Sequence, residues 1–149
     1  MSSNLFDLSS KVALITGGNS GIGLGFAEGA IKHVASVCLW GTNAQKNADA
    51  VDTLTKLVKQ NEESGQKVHS IVCNVADEEA VEASFAETLA EFGRVDACFG
   101  NAGVARSGRF DEFSTEDWRA VLDVNLDGLF FTLRAAARHM RQRAEAGDA

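Results

Sequence analysis

The chain has 149 residues, 45% of them hydrophobic, with a net charge of -7 and an isoelectric point of about 4.9. That length suits one domain, and the acidic balance argues against nucleic acid or an anionic membrane as the main partner. No apolar run approaches the ~18 residues of a membrane span, and Met1-Ser2-Ser3-Asn4 lacks the charged start and apolar core of a secretory leader.

In chain order, Val12–Thr16 is a short run rich in β-formers and is predicted as the first strand. It runs into Thr16-Gly17-Gly18-Asn19-Ser20-Gly21-Ile22-Gly23. A helical pattern over 22–33 follows. Strand, glycine-rich turn and helix together can hold a pyrophosphate, because backbone N–H groups and the helix N-terminus both face the anion. The glycines divide the work between a tight turn, close approach of backbone to phosphate, and close helix–strand packing. The spacing G-x-x-x-G-x-G differs from the commoner dinucleotide fingerprint. By itself it also suits a ligand-free strand-to-helix turn.

A second strand is expected over 36–40 and a helix over 43–63, with Val51, Leu54, Leu57 and Val58 on one stripe. A third strand spans 67–73. Asp77 is positioned to cap the next helix, which carries Val81, Phe85, Leu89 and Phe92, and Gly93 is positioned to end it. The fourth strand covers 95–100 and ends in Gly100-Asn101-Ala102-Gly103. Ser114-Thr115-Glu116-Asp117 reads as a capping-box start. One long helix is expected from about 115 to 141, with Trp118, Val121, Leu122, Leu126, Leu129, Phe130, Leu133 and Met140 on its apolar stripe.

This strand–helix alternation predicts an α/β fold: a Rossmann-type doubly wound parallel sheet in order 3-2-1-4, with helices on both faces. The ligand crevice then lies beyond the C-terminal ends of strands one and four. Two glycine-containing turns, 17–23 and 100–103, converge there. Cys38, Cys73 and Cys98, each read as sitting at a strand end, are expected to be buried reduced thiols in a cytoplasmic protein. His33, His69 and His139 are expected as surface or helix-end residues. The basic cluster around His139 suits a helix C-terminus.

The motifs resemble those of the short-chain dehydrogenase/reductase family, classical type, over its N-terminal half. The resemblance rests on Thr16–Gly23 as T-G-x-x-x-G-I-G and on Asn101-Ala102-Gly103 as N-A-G. Asn74-Val75 stands where Asp-Val is usual, and Asn125 lies within Val124-Asn125-Leu126-Asp127-Gly128. It implies NAD(P) as cofactor. Gly17, Asn19, Ser20, Gly21, Ile22 and Gly23 would hold the pyrophosphate, with Thr42 at the adenosine ribose. Asn74 and Val75 would lie at the adenine, and Asn101, Ala102 and Gly103 at the strand end beside the cofactor ribose. Asn125 would hold a water in a proton relay. As an asparagine on an apolar stripe, between Val121 and Leu129, it is expected to be buried and to need partners; a local bond that kinks the helix is the alternative.

No Asp or Glu occurs between Glu28 and Asp49, so no acid marks the end of strand two for a ribose 2′-OH. That leans slightly to NADP, although Thr42 and Ser20 stand where a basic residue is often found in NADP-preferring relatives. Lys46 is expected as a solvated lysine. The family's chemistry belongs to a serine, a tyrosine and a lysine beyond the long helix, and this sequence contains no tyrosine. The 149 residues are therefore expected to be inactive alone, as the N-terminal portion of a longer single-domain fold with its fourth strand an open edge.

Three readings remain open at this level. The chain is the cofactor-binding half of an oxidoreductase acting on an alcohol or carbonyl, the rest supplied by its own continuation or a second chain. Or it is a non-catalytic nucleotide-binding module. Or it is a truncation whose long helix forms an oligomer interface, as that helix does in the resembled family, where homo-oligomers form through it.

Overall fold

The computed structural model describes residues 5–59 and 65–148. Its elements are β1 (Val12–Thr16), α1 (Gly21–Lys32), β2 (Ser36–Gly41), α2 (Ala44–Val58), β3 (Val68–Val72), α3 (Glu78–Phe92), β4 (Ala97–Phe99), α4 (Thr115–Leu122) and α5 (Gly128–Glu145). The four strands are parallel, in order β3-β2-β1-β4.

Alternation along the strands sends side chains to opposite faces of this sheet. Leu14, Cys38 and Trp40 point to one side, where they meet Val81 and Phe85 of α3 and Ala135 and Ala136 of α5. Ala13, Ile15, Val37 and Leu39 point to the other, against Ala27 and Ile31 of α1 and Ala50 and Leu54 of α2. β1 and β2 are therefore near-continuously apolar, as expected of strands covered on both faces. Trp40 is fully buried, and its indole N–H donates to Thr88 Oγ1 at 3.1 Å. The Thr88 hydroxyl in turn donates to Ser84 O at 2.8 Å, which leaves the Cys38 thiol to donate to Thr88 Oγ1 at 3.4 Å.

The expected caps form. Asp77 accepts from Glu79 N and Ala80 N, and Ser114 Oγ accepts from Asp117 N. Gly93 ends α3 in the left-handed region, at φ 75°.

Four expectations are corrected. β4 is shorter than 95–100: Val95 N donates to His139 Nε2 at 3.2 Å instead of to a strand, and Asn101 N turns back to Phe99 O. α2 ends at Val58, and the remainder of the expected helix through 63 falls largely outside the described residues. Cys38 and Cys98 lie in mid-strand, not at strand ends; Cys38 is buried and Cys98 half-buried. The long helix is interrupted by one π-helical turn at Asp123–Asp127, which separates α4 from α5.

Burial pushes the Cys38 thiol up to about 11 and the Cys98 thiol to about 12, so both stay protonated and inert at neutral pH. His69 lies in β3 beside Glu87, and His33 caps the C-terminus of α1. His139 uses Nε2 as an acceptor for the Val95 N–H. Burial, together with the nearby Arg143, lowers its pKa. The cations of α5 are paired: Arg138 with Glu82 at 3.1 Å, Arg134 with Glu78 and Glu82, and Arg143 with Asp96 at 3.1 Å.

Asp96 joins the start of β4 to β1 and α5. It accepts from Val12 N at 2.9 Å and pairs with Arg94 at 2.6 Å as well as with Arg143. Burial alone would raise its pKa, but the Arg94 hydrogen bond, the Val12 N–H and Arg143 outweigh that and hold it at about 2. A carboxylate depressed from 3.8 contributes stability that is complete above about pH 4 and is lost as pH falls toward 2. Each tenfold change in proton affinity is worth ~1.4 kcal/mol, so the loss is on the order of 2 kcal/mol. The stability gap between the wild-type chain and Asp96→Asn, measured by thermal melts, is expected to close between pH 4 and pH 2. A gap that stays constant with pH would remove Asp96 from this role.

Candidate functional site

The crevice lies at the C-terminal ends of β1, β2 and β4, where a parallel sheet opens between its crossovers. Gly17 adopts φ +62°, and its N–H donates to Trp40 O at 2.7 Å. This bends the chain sharply out of β1 while keeping it tied to β2. Ser20 is the N-cap of α1 in extended conformation. Its side chain makes no capping bond, and the first turn of the helix carries no acid. The helix therefore begins with backbone N–H groups suited to an anion.

The second turn is bonded to the first through Thr16 and Asn101. Thr16 Oγ1 accepts from Asn101 N and from Ala102 N, both at 3.0 Å. Asn101 Nδ2 donates to Thr16 O at 3.0 Å and to Gly17 O at 3.3 Å. Behind them, α1 approaches so closely that a Cβ on Gly23 would overlap Gly17 O and stand 2.6 Å from Asn101 Nδ2. Gly21 opens the helix at φ +53°, with free space where a side chain would be.

Ten of the residues expected at the cofactor line one crevice of about 410 Å³: Gly17, Asn19, Ser20, Ile22, Thr42, Asn74, Val75, Asn101, Ala102 and Gly103. Gly21 and Gly23 are absent from its wall and act behind it, in the first turn of α1. Asn125 is also off the wall. It is exposed, not buried as expected, and its bonds run neither to its own helix nor into the core. Its Oδ1 accepts from Val104 N at 2.8 Å and its Nδ2 donates to Val104 O at 2.9 Å, which clamps the segment following Gly103. The π-helical turn is what swings Asn125 toward that loop, a geometry frequent at functional positions.

Asn74 Oδ1 accepts from Ala76 N at 3.2 Å and so already caps its own turn. Val75 is buried against Gly128, where a Cβ would stand 2.7 Å from Val75 Cγ2.

Sequence reasoning did not single out Trp40, Gly41, Cys73, Val104 and Val124, which complete the wall, nor Asn47 behind it. Apolar wall residues carry no sequence signal distinct from core. Among the described residues, no wall residue is charged.

The profile of the short chain dehydrogenase family matches residues 11–148. The chain belongs to the short chain dehydrogenase family. Gluconate 5-dehydrogenase of Gluconobacter oxydans is 36% identical over 140 residues, covering 94% of this chain and 52% of that protein. The 3-oxoacyl-(acyl-carrier-protein) reductase FabG of Chlamydia muridarum is 33% identical over 133 residues, covering 89% of this chain and 51% of that protein.

Among solved structures, NAD+-bound xylitol dehydrogenase superposes with a TM-score of 0.82 at 28% identity, over 91% of this chain and 50% of that one. An alcohol dehydrogenase from the archaeon Thermococcus sibiricus, complexed with 5-hydroxy-NADP, gives a TM-score of 0.79 at 29% identity, over 89% of this chain and 54% of that one. The chain thus spans about half the length of the relatives it matches. No helix among its described residues is long and apolar enough to cross a membrane.

Proposed function

We propose that this chain is the dinucleotide-binding part of a NAD(P)-dependent oxidoreductase that transfers hydride between the nicotinamide and an alcohol or carbonyl substrate. The observation that carries the reading is the cross-bonding of two glycine-containing turns by Thr16 and Asn101 into one crevice. The donor set fits the group. An α1 start without side-chain cap or acid suits a pyrophosphate, and a wall free of carboxylates does not repel it.

Gly17, Asn19, Ser20 and Ile22 would line the pyrophosphate turn, with Thr42 at the adenosine ribose. Asn74 and Val75 would flank the adenine, and Asn101 to Gly103 would support the ribose nearer the nicotinamide. When bound, the cofactor supplies the hydride acceptor or donor. The chain's own residues bind and orient it. Asn125 holds the Val104 segment in place beside Gly103, and in the complete protein it would hold a water for proton transfer. The missing carboxylate at the end of β2 supports a slight lean to NADP.

The proposed setting is cytoplasmic, and a homo-oligomer is proposed because Trp118 of α4, Leu126 of the π-helical turn and Phe130 and Leu133 of α5 leave an apolar face exposed. The domain is read as one part of a longer single-domain fold, continued in the same protein or completed by a second chain. The runner-up is a nucleotide-binding module without turnover.

Calorimetric titration of the chain with NAD+ and NADP+ tests the shared part. Saturable one-to-one binding of either is the expected result. Absence of binding to both sinks the proposal. Turnover of an alcohol by the chain would then discard the runner-up.

A further inference from the structure

Two amide side chains meet under the crevice where β2 ends. Asn47, near the start of α2, is a polar residue only 2% exposed. Its Nδ2 donates to Gly41 O at 3.0 Å and to Ile71 O at 3.2 Å. Two carbonyl acceptors leave that amide one orientation, with Oδ1 facing the glycine turn. There it accepts from Asn19 Nδ2 at 2.7 Å. The donor end of Asn19 is thereby directed inward. Its Oδ1 is left facing away from Asn47 and accepts from Ser20 Oγ at 3.5 Å, and both residues line the crevice.

Gly41 makes room for this pair. A Cβ there would overlap Asn19 Nδ2 and stand 2.5 Å from Asn47 Oδ1. Gly41 is not among the residues of positive φ, so space, not conformation, demands glycine here.

We infer that Asn47 is a positioning residue for cofactor selection. With Gly41 it holds Asn19 with one N–H engaged by Asn47 and its acceptor toward the crevice, so that this stretch of wall favours a ribose hydroxyl over a 2′-phosphate. The inference rests on the dinucleotide reading above. In a wall without charge, the orientation of one amide carries weight that a neighbouring arginine or carboxylate would otherwise take. It also limits the lean to NADP that follows from the missing carboxylate. Releasing Asn19 lets its NH2 turn outward to a phosphate oxygen.

The test is the ratio of NAD+ to NADP+ dissociation constants, measured by calorimetry on the full chain and on Asn47→Leu. The ratio is expected to move about three- to tenfold toward NADP+, the worth of one hydrogen bond gained. In an Asn19→Ala background the same substitution is expected to leave the ratio unchanged, because no amide remains to rotate. Should Asn47→Leu fail to fold, Gly41→Ala parts the same two side chains from the β2 side and carries the same expectation. Equal weakening of both nucleotides, or a shift that persists without Asn19, overturns the inference and leaves Asn47 a structural residue. A wild-type chain that binds neither nucleotide overturns the dinucleotide reading, and this inference with it.

Discussion

Gly23→Ala is expected to reduce dinucleotide affinity at least ~100-fold, about 2.7 kcal/mol, and to destabilise the fold by about 1–3 kcal/mol. The added methyl would overlap Gly17 O and crowd Asn101 Nδ2. Neither can retreat at low cost. Gly17 is tied to β2 through its N–H on Trp40 O, and Asn101 Nδ2 bridges Thr16 O and Gly17 O. The first turn of α1 must then move outward, which displaces the N–H groups aimed at the anion.

Gly25 and Gly29 on the same helix supply the control. A Cβ at either meets nothing within 4 Å and neither has positive φ. Gly29→Ala is therefore expected to stabilise by about 0.5–1 kcal/mol, through helix propensity and unfolded-state entropy, with binding unchanged. Calorimetric titration and chemical denaturation of the two variants separate the effects. Wild-type affinity in Gly23→Ala would mean that close packing of α1 on the turn does not shape the site.

Thr16→Val is expected to cost about 1–3 kcal/mol and to weaken nucleotide binding. Thr16 is 2% exposed, and its hydroxyl joins the two turns. Valine keeps the shape and removes the acceptor. The Ala102 N–H then loses its partner, and the Asn101 N–H keeps only Phe99 O. For a chain of this size the loss corresponds to a fall in Tm of roughly 2–4 °C per kcal/mol. Thr16→Ser retains the hydroxyl and loses only a methyl. It is expected to recover most of the affinity while remaining less stable than wild type. If valine and serine behave alike, packing and not the hydrogen-bonded junction governs the site.

Local chemistry was legible in the chain because it is local. β1 runs from Val12 to Thr16 as its β-forming run implies, and Asp77, Ser114 and Gly93 cap where their side chains or φ require. The sheet order follows from strand–helix alternation, since right-handed crossovers leave few alternatives. The glycine turn, N-A-G and Asn125 were visible as motifs.

What was misread depends on partners distant in sequence. Asn125 looked like a buried residue on one continuous stripe. Its partner is the backbone of Val104, 21 positions away, and the helix is broken by a π-helical turn to reach it. Asn47 was not singled out at all, because its carbonyl partners at Gly41 and Ile71 become neighbours only when β2 pairs with β3.

The sequence by itself determined a doubly wound α/β chain with a glycine-rich strand-to-helix turn, because caps, glycine conformations and hydrophobic period act within a few residues. Only the tertiary structure decided that Thr16 and Asn101 lock two turns together and that Asn47 orients Asn19. Those bonds are chosen by which strands lie side by side, and a linear pattern of polar residues does not record them.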